Sequence, residues 1–183
     1  MKKLRRIIPC LIGGIIGIVL VGVVNLSLEP APGIIYNCDG QDKELIQEYL
    51  SYNNNRVIAL LETYNTTISV KDIVYSNEGN ECLGYIKMSN NVITLDIEDG
   101  EIESSFNHEI GHLVDYEYTD KVLSLEDDFC EIWKKELGFF NDYCGGCSSE
   151  CFAQSYKYYV EDNQEFKENC PELWNYMDKL LKG

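Results

Sequence analysis

The stretch Phe106-Asn107-His108-Glu109-Ile110-Gly111-His112-Leu113-Val114-Asp115-Tyr116 contains the five-residue motif HExxH. In an α-helix, residues four apart lie one above the other on the same face, so His108 and His112 can both direct an imidazole nitrogen at one Zn²⁺ ion. Glu109 is displaced around the helix, within reach of a water bound to that ion. The motif therefore indicates a zinc hydrolase that holds one Zn²⁺ per chain.

Two features around the motif support this interpretation. The chain contains two histidines, and both lie in the motif. An apolar stripe at helical spacing lies on the side away from the histidines and consists of Phe106, Ile110, Leu113 and Val114. The pattern predicts a helix from about Glu101 to Tyr118 with one packed face and one polar face. The alternative is a surface helix with two solvated histidines.

Length and charge limit the classes of protein to which the chain can belong. With 183 residues there is room for one compact domain beyond the N-terminal segment. Four of the 15 basic residues precede that segment's apolar run, which leaves 11 basic residues against 31 acidic ones. A surface with this excess of negative charge repels nucleic acid. We expect a single catalytic domain that does not bind nucleic acid.

The N-terminal segment has the pattern of a membrane anchor. Basic residues 2 to 6 precede an apolar run from Ile7 to Leu28, about the 20 residues that a helix needs to span a bilayer. No Ala-x-Ala pattern follows, which favours an uncleaved anchor over a secretory signal peptide. The sequence thus predicts an anchor over residues 1–28, a linker over 29–33 and a metallopeptidase domain over 34–183. We expect a single-pass protein of the cell membrane with that domain outside the cytoplasm, or a secreted protein if the segment is cleaved.

Cysteine usage fits an oxidising compartment. Seven of the eight cysteines follow the apolar run, and this density favours disulfide bonds. Because seven is odd, at least one thiol is free or pairs between chains. The run Cys144-Gly-Gly-Cys147 has the CxxC form of a redox pair or of half a second zinc site, but no second CxxC or spare histidine completes a metal set.

Periodicity predicts an α+β fold with two N-terminal helices and a small, mainly antiparallel sheet ahead of the motif helix. Asp42 to Tyr52 and Val57 to Tyr64 have helical spacing, and β-branched Thr66 to Tyr75 is typical of a strand. Two further strands, Leu83 to Met88 and Val92 to Ile97, flank a turn and predict a hairpin. Three C-terminal helices are predicted to begin near Ser124, Ser148 and Pro171.

A catalytic zinc site keeps three protein ligands, and the chain has no third histidine. The third ligand must then be a carboxylate or a thiolate, which excludes a three-histidine site. Glu150 is the preferred candidate, because it opens a predicted helix and projects from its first turns. The other carboxylate candidates are Glu131, Glu136 and Asp142, and the rival thiolates are Cys147 and Cys151.

The range Phe106 to Tyr116, together with Tyr143 and the run Glu150-Cys151-Phe152-Ala153-Gln154, resembles the catalytic domain of anthrax lethal factor and its relatives, which include the clostridial Pro-Pro endopeptidases. In that family a tyrosine lies seven residues before the glutamate ligand, and the ligand opens a helix of the pattern Glu-x-Phe-Ala-Glu. Gln154 departs from this pattern, since the family usually has a second glutamate there. Glutamine can still form a hydrogen bond to a ligand but carries no charge.

The resemblance implies a zincin-like fold of the gluzincin type and a zinc endopeptidase. Together with the N-terminal segment, it predicts a membrane-anchored, extracytoplasmic enzyme. It implies three zinc ligands, namely His108, His112 and Glu150. Glu109 is then the general base that passes its proton to the leaving amine, and Tyr143 donates a hydrogen bond to the oxyanion. The alternative function is a catalytically silent, zinc-containing surface-binding domain with the same fold.

Two further expectations concern the surroundings of the site. Asp115 lies three residues after His112 and is a candidate to orient a ligand, the alternative being a carboxylate on the helix surface. In zincins the strand before the active helix commonly forms the edge of the substrate cleft, a place that Asn91 to Ile97 occupies here. We expect a protein or peptide substrate to lie extended along the cleft and to pair with that strand.

Overall fold

The computed structural model of the chain describes residues 33–96, 101–140, 144 and 146–183. Within these ranges the strands are β1 (Ile35–Asn37), β2 (Thr67–Lys71), β3 (Val74–Tyr75), β4 (Glu81–Cys82), β5 (Gly84–Lys87) and β6 (Val92–Asp96). The α-helices in the same ranges are α1 (Gly40–Leu50), α2 (Asn55–Thr63), α3 (Glu101–Glu117), α4 (Asp127–Glu136), α5 (Ser148–Val160), α6 (Gln164–Asn169) and α7 (Pro171–Lys182). The predicted α+β class is confirmed, and residues 33–183 form one compact unit.

The larger sheet has the strand order β1-β2-β6-β5. β1 pairs with β2 in parallel, β2 pairs with β6 in parallel, and β5 pairs with β6 antiparallel. The prediction of a mainly antiparallel sheet is therefore wrong. The reason is β1, a three-residue strand too short to show alternation, from which α1 and α2 return the chain so that β2 runs in the same direction.

The predicted hairpin forms from β5 and β6, with Ile86 opposite Ile93. β6 lies between β2 and β5, so its backbone groups are paired on both sides. The expectation that Asn91 to Ile97 borders the cleft is wrong for this reason, and β5 is the edge strand beside α3. The predicted strand from Thr66 to Tyr75 divides into β2 and β3, and β3 pairs with β4 in a separate two-stranded sheet.

The apolar stripe of the motif helix lies in the centre of the core, as predicted. Its four side chains have no exposed surface: Phe106, Ile110, Leu113 and Val114. They pack in one cluster with Ile68, Ile93 and Leu95 of the sheet and with Phe152 and Tyr156 of α5. This packing leaves the opposite face of α3, which carries the histidines, turned toward α5 and β5.

The C-terminal helices have identifiable end signals. Asn163 caps α6 by accepting a hydrogen bond from the backbone N–H of Phe166, and Pro171 is the first residue of α7. The N-terminus of α7 is also capped from outside, because the carboxylate of Glu136 accepts hydrogen bonds from the backbone N–H groups of Glu172 and Leu173 at 3.0 and 2.9 Å. The sequence patterns predicted α5 and α7 but not the short helix α6.

The structure does not support the predicted disulfide bonds. The seven cysteines within the described ranges are all free, while Cys10 lies outside those ranges. Cys144, Cys151 and Cys170 are buried in the core among apolar side chains. They serve there as small apolar residues, a common role of reduced cysteine.

No helix within residues 33–96, 101–140 and 146–183 is long and apolar enough to cross a membrane. Even α3, with 17 residues, is shorter than the about 20 that a span needs, and its apolar face is used in the core. This finding contradicts the predicted localisation as a single-pass protein of the cell membrane, and that prediction is withdrawn. The predicted anchor over residues 1–28 lies outside the described residues.

Candidate metal centre

Two helices bring together the side chains predicted as metal ligands. His108 and His112 project from α3, and Glu150 projects from the first turn of α5. His108 Nε2 lies 3.1 Å from Glu150 Oε2, and His112 Nε2 lies 3.6 Å from Glu150 Oε1. One ligand atom from each residue lies within 4.8 Å of the others. Two atoms bound at about 2.1 Å to a tetrahedral ion are about 3.4 Å apart, so these separations fit one metal ion of that size.

Two small residues allow α3 and α5 to approach each other closely. A Cβ added to Gly111 would lie 2.7 Å from Ala153 Cα and 2.8 Å from the Ala153 carbonyl oxygen. Gly111 lies between the two histidines, and Ala153 is three residues after Glu150. The contact between the two backbones therefore sets the distance between the carboxylate and the imidazoles. The signal in the sequence is a glycine inside a predicted helix, where it is intrinsically unfavourable.

His112 is connected to a buried carboxylate through a hydroxyl group. His112 Nδ1 lies 3.3 Å from Ser149 Oγ, and that hydroxyl donates to Asp115 Oδ2 at 3.1 Å. The other oxygen of Asp115 accepts the backbone N–H of Ser124 at 2.6 Å. Asp115 has no exposed surface, which excludes the alternative of a carboxylate on the helix surface.

His108 is held through its other ring nitrogen by Gln154. His108 Nδ1 lies 3.0 Å from Gln154 Oε1, one turn of α5 beyond Glu150. Gln154 is the residue at which the sequence departs from the family pattern. Both motif histidines thus turn Nε2 toward the proposed metal position and Nδ1 toward side chains of α5.

The pKa values of the two glutamates of the site are shifted in opposite directions. Hydrogen bonds from His108 and His112 hold the pKa of Glu150 well below its usual range. Burial raises the pKa of Glu109 to about 7, although His108 opposes the rise and the Glu150 carboxylate adds to it. Glu109 is 6% exposed and opens into the cleft beside the histidines.

The edge strand β5 passes very close to the motif helix. A Cβ added to Gly84 would lie 2.9 Å from Ser105 Cβ and 3.1 Å from Glu109 Oε1. Glycine is therefore required at this position for β5 to lie against α3. The sequence contained only a weak signal, a glycine in a predicted strand, which is typical of close backbone approach.

The cleft extends to both sides of Glu109. One cavity of about 460 Å³ includes the three candidate ligands and side chains of β5 and α3, among them Tyr85, Ile86 and Tyr116. A second cavity of about 420 Å³ lies on the other side and is lined by residues that include Glu81, Leu83, Ser104 and Gln154. Both cavities share Gly84, His108 and Glu109. An extended molecule in this cleft can pass the ligand group on both sides.

The other candidate ligands have different surroundings. Glu136 caps α7, and Glu131 is exposed on α4. Cys147 lines the cleft but does not join the ligand group. Cys151 is fully buried, and its hydrogen bond with Cys144 together with burial raises the pKa of its thiol, which disfavours a thiolate ligand. Asp142 and Tyr143 lie outside the described residues.

Comparisons with known proteins concern the family and the fold of the chain. The family model described as anthrax toxin lethal factor, N- and C-terminal domain, matches residues 41–180 of this chain. The structure is similar to that of the Pro-Pro endopeptidase PPEP-2 from Paenibacillus alvei, with a TM-score of 0.64 and 17% sequence identity over 80% of this chain and 96% of that chain. At this identity the likeness concerns the fold. No curated protein matches the sequence.

Proposed function

This chain belongs to the anthrax toxin lethal factor family, and on that premise we propose that it is a zincin-like zinc endopeptidase, with residues 34–183 as its catalytic domain. The resemblance predicted from the motif residues is confirmed. The observation that carries the proposal is the convergence of two imidazoles and one carboxylate within 4.8 Å, next to the buried Glu109. This donor set is one that catalytic zinc sites use.

His108, His112 and Glu150 are the proposed ligands of one Zn²⁺ per chain. When bound, Zn²⁺ would lower the pKa of a water and polarise the carbonyl of the scissile peptide bond. The two imidazoles bind as neutral groups through Nε2, because their Nδ1 atoms face acceptors on Ser149 and Gln154. Glu150 contributes the negative charge of the set.

Glu109 is the proposed general base. It lies in the cleft beside His108, at the point that both cavities share. From this position its carboxylate would take a proton from the water as the water oxygen bonds to the carbonyl carbon. It would then give that proton to the nitrogen as the C–N bond breaks, so that the amine leaves as a neutral group. Tyr143, outside the described residues, is proposed as the donor to the oxyanion because it matches the tyrosine that the family has seven residues before the glutamate ligand.

The substrate is proposed to be a peptide segment that lies extended along β5. β5 pairs with β6 on one side, and its other edge faces the cleft next to Glu109. An extended peptide can add to such an edge through backbone hydrogen bonds. Cavity space on both sides of Glu109 favours cleavage within a chain over removal of a terminal residue.

A mixed-sequence peptide library tests this function. The zinc-loaded chain is incubated with the library, with and without a chelator, and the products are identified by mass spectrometry. We expect internal cleavages that disappear with the chelator and return when zinc is added back. A zinc-loaded chain that leaves the library intact would favour the silent binding domain with the same fold.

A further inference from the structure

The proton positions around His112 follow from the hydrogen-bond chain behind it. Ser149 has one hydroxyl hydrogen, which it donates to Asp115 Oδ2 at 3.1 Å. Its oxygen can therefore only accept in the 3.3 Å contact with His112 Nδ1, so the hydrogen of the ring lies on Nδ1. When the proposed ion is held, Nε2, which lies 3.6 Å from Glu150 Oε1, would carry no hydrogen and would direct its lone pair at the ion.

The series of hydrogen bonds behind His112 ends at the carboxylate of Asp115, which is held in one position. Asp115 is fully buried, and each of its oxygens accepts a hydrogen bond, one from Ser149 and one from the backbone of Ser124. The ion pairs found among the described residues do not include Asp115. The charge of Asp115 therefore acts on His112 through a single hydroxyl group, and none of the cations in those ion pairs neutralises it.

The hydrogen-bond acceptor behind His108 is an amide and not a hydroxyl group. The amide oxygen of Gln154 lies 3.0 Å from Nδ1, which places the ring hydrogen on Nδ1 here as well. An amide can orient the ring in the same way as a carboxylate but adds no charge. A charged acceptor makes a metal-bound imidazole a stronger donor, so the acceptor at position 154 affects how tightly an ion is held.

We propose that Ser149 and Gln154 are positioning residues that fix both histidines as Nε2 ligands but support them unequally. Ser149 relays the charge of the buried Asp115 to His112, whereas Gln154 gives His108 an uncharged acceptor. The inference rests on the proposed zinc site and extends it. Its consequence is that the residue at position 154 limits zinc affinity, and that a carboxylate there tightens the site.

The test is the zinc dissociation constant of full-length variants, measured by competition with a chromophoric chelator. Outer hydrogen-bond partners of zinc ligands typically change affinity by about 10- to 100-fold. We expect Gln154→Glu to bind zinc about tenfold more tightly than the native chain and Gln154→Leu to bind it about 10- to 100-fold more weakly. A gain in affinity is a result that damage to the fold does not produce.

The role of Ser149 is tested in the same assay. Ser149→Ala is expected to weaken zinc binding about 10- to 100-fold, and Ser149→Thr, which keeps the hydroxyl, is expected to restore it. Ser148→Ala is the matched control, since Ser148 is the neighbouring serine of α5 and has no side-chain hydrogen bond among the described residues. The absorption spectrum of the cobalt-substituted protein provides a second readout, which changes for Ser149→Ala and not for Ser148→Ala.

Failure of this inference can be separated from failure of the proposed function. If the native chain binds zinc and Gln154→Glu binds it equally or more weakly, or if Ser149→Ala matches Ser148→Ala, the inference is overturned and the zinc site stands. If the native chain binds no zinc in the competition assay, the proposed function is overturned together with the inference. Unchanged thermal unfolding of the metal-free variants shows that each variant is folded.

Discussion

At the residue scale, Gly111 determines how closely the two ligand-bearing helices approach. In Gly111→Ala the added methyl group would lie 2.7 Å from the Cα of Ala153, which cannot rotate away because it belongs to the backbone. We expect α5 to move outward, with a loss of about 1 to 3 kcal/mol in the free energy of unfolding and weaker zinc binding. Chemical denaturation and zinc titration measure the two effects.

Gly138→Ala is the control for this substitution, since a Cβ there has no other heavy atom within 4 Å. It should leave both the free energy of unfolding and the zinc affinity near the native values. If the two alanine variants unfold at the same denaturant concentration, the interface between α3 and α5 can accommodate a methyl group and the proposed constraint does not exist.

Glu109→Gln separates catalysis from metal binding. The amide has nearly the same shape as the carboxyl group but cannot take a proton from water, so kcat for peptide hydrolysis should fall by at least about 10² to 10⁴. Zinc content should remain near one ion per chain, because Glu109 is not a proposed ligand. Steady-state kinetics and metal analysis of the same preparation check this. Activity near the native level would show that Glu109 is not the base.

At the residue scale, the sequence predicted relations within one helix better than contacts between two helices. His108 and His112 are four residues apart on one helix, so their relation depends on local geometry alone. The contacts of Gln154 with His108 and of Ser149 with Asp115 join residues that are 46 and 34 positions apart. Such contacts depend on how two helices pack, and periodicity within one helix does not contain that information.

At the scale of elements, Glu136 joins two helices that are distant in sequence. Its carboxylate accepts two backbone N–H groups at the start of α7, where the helix dipole also favours a negative charge. Glu136→Ala should lower the free energy of unfolding by about 1 to 2 kcal/mol. Chemical denaturation measures the loss. Glu131→Ala, at an exposed position of the same helix, should change it by less than about 0.5 kcal/mol.

Helices and sheet differed in how well they could be predicted. The helices carry apolar stripes of period 3.6 and end signals such as Pro171, and these signals are local. The direction of the sheet strands was wrong because it depends on β1, which has only three residues and pairs with residues 32 positions later in the chain. The edge position of β5 likewise depends on a pairing of β6 with β2 that alternation does not reveal.

At the scale of the whole molecule, metal binding and folding are coupled. The ligands come from α3 and α5, whose packing forms only in the folded state, so zinc should bind the native chain in preference to the unfolded one. With free zinc at about 100 times the dissociation constant, the expected stabilisation is about 2.7 kcal/mol. This corresponds to an increase of about 5 to 10 °C in Tm for a domain of this size.

Differential scanning calorimetry with and without a chelator measures this increase. The chelator should lower the Tm of the native chain and leave that of Glu150→Gln almost unchanged, because that variant has lost one of three ligands. A Tm that does not respond to the chelator in the native chain would mean that no ion contributes to its stability.

The close approach of β5 to α3 at Gly84 has a consequence for the pattern of products. No side chain separates the strand from Glu109 at that point, so the backbone of a peptide paired with β5 fixes which bond lies opposite the carboxylate. Pairing with a strand repeats every two residues, and a shift by one residue turns every side chain to the other face. In a peptide of two alternating residue types, all the side chains turned to one face are therefore of one type. When such a peptide is cut at more than one bond, the favoured cuts should fall an even number of residues apart.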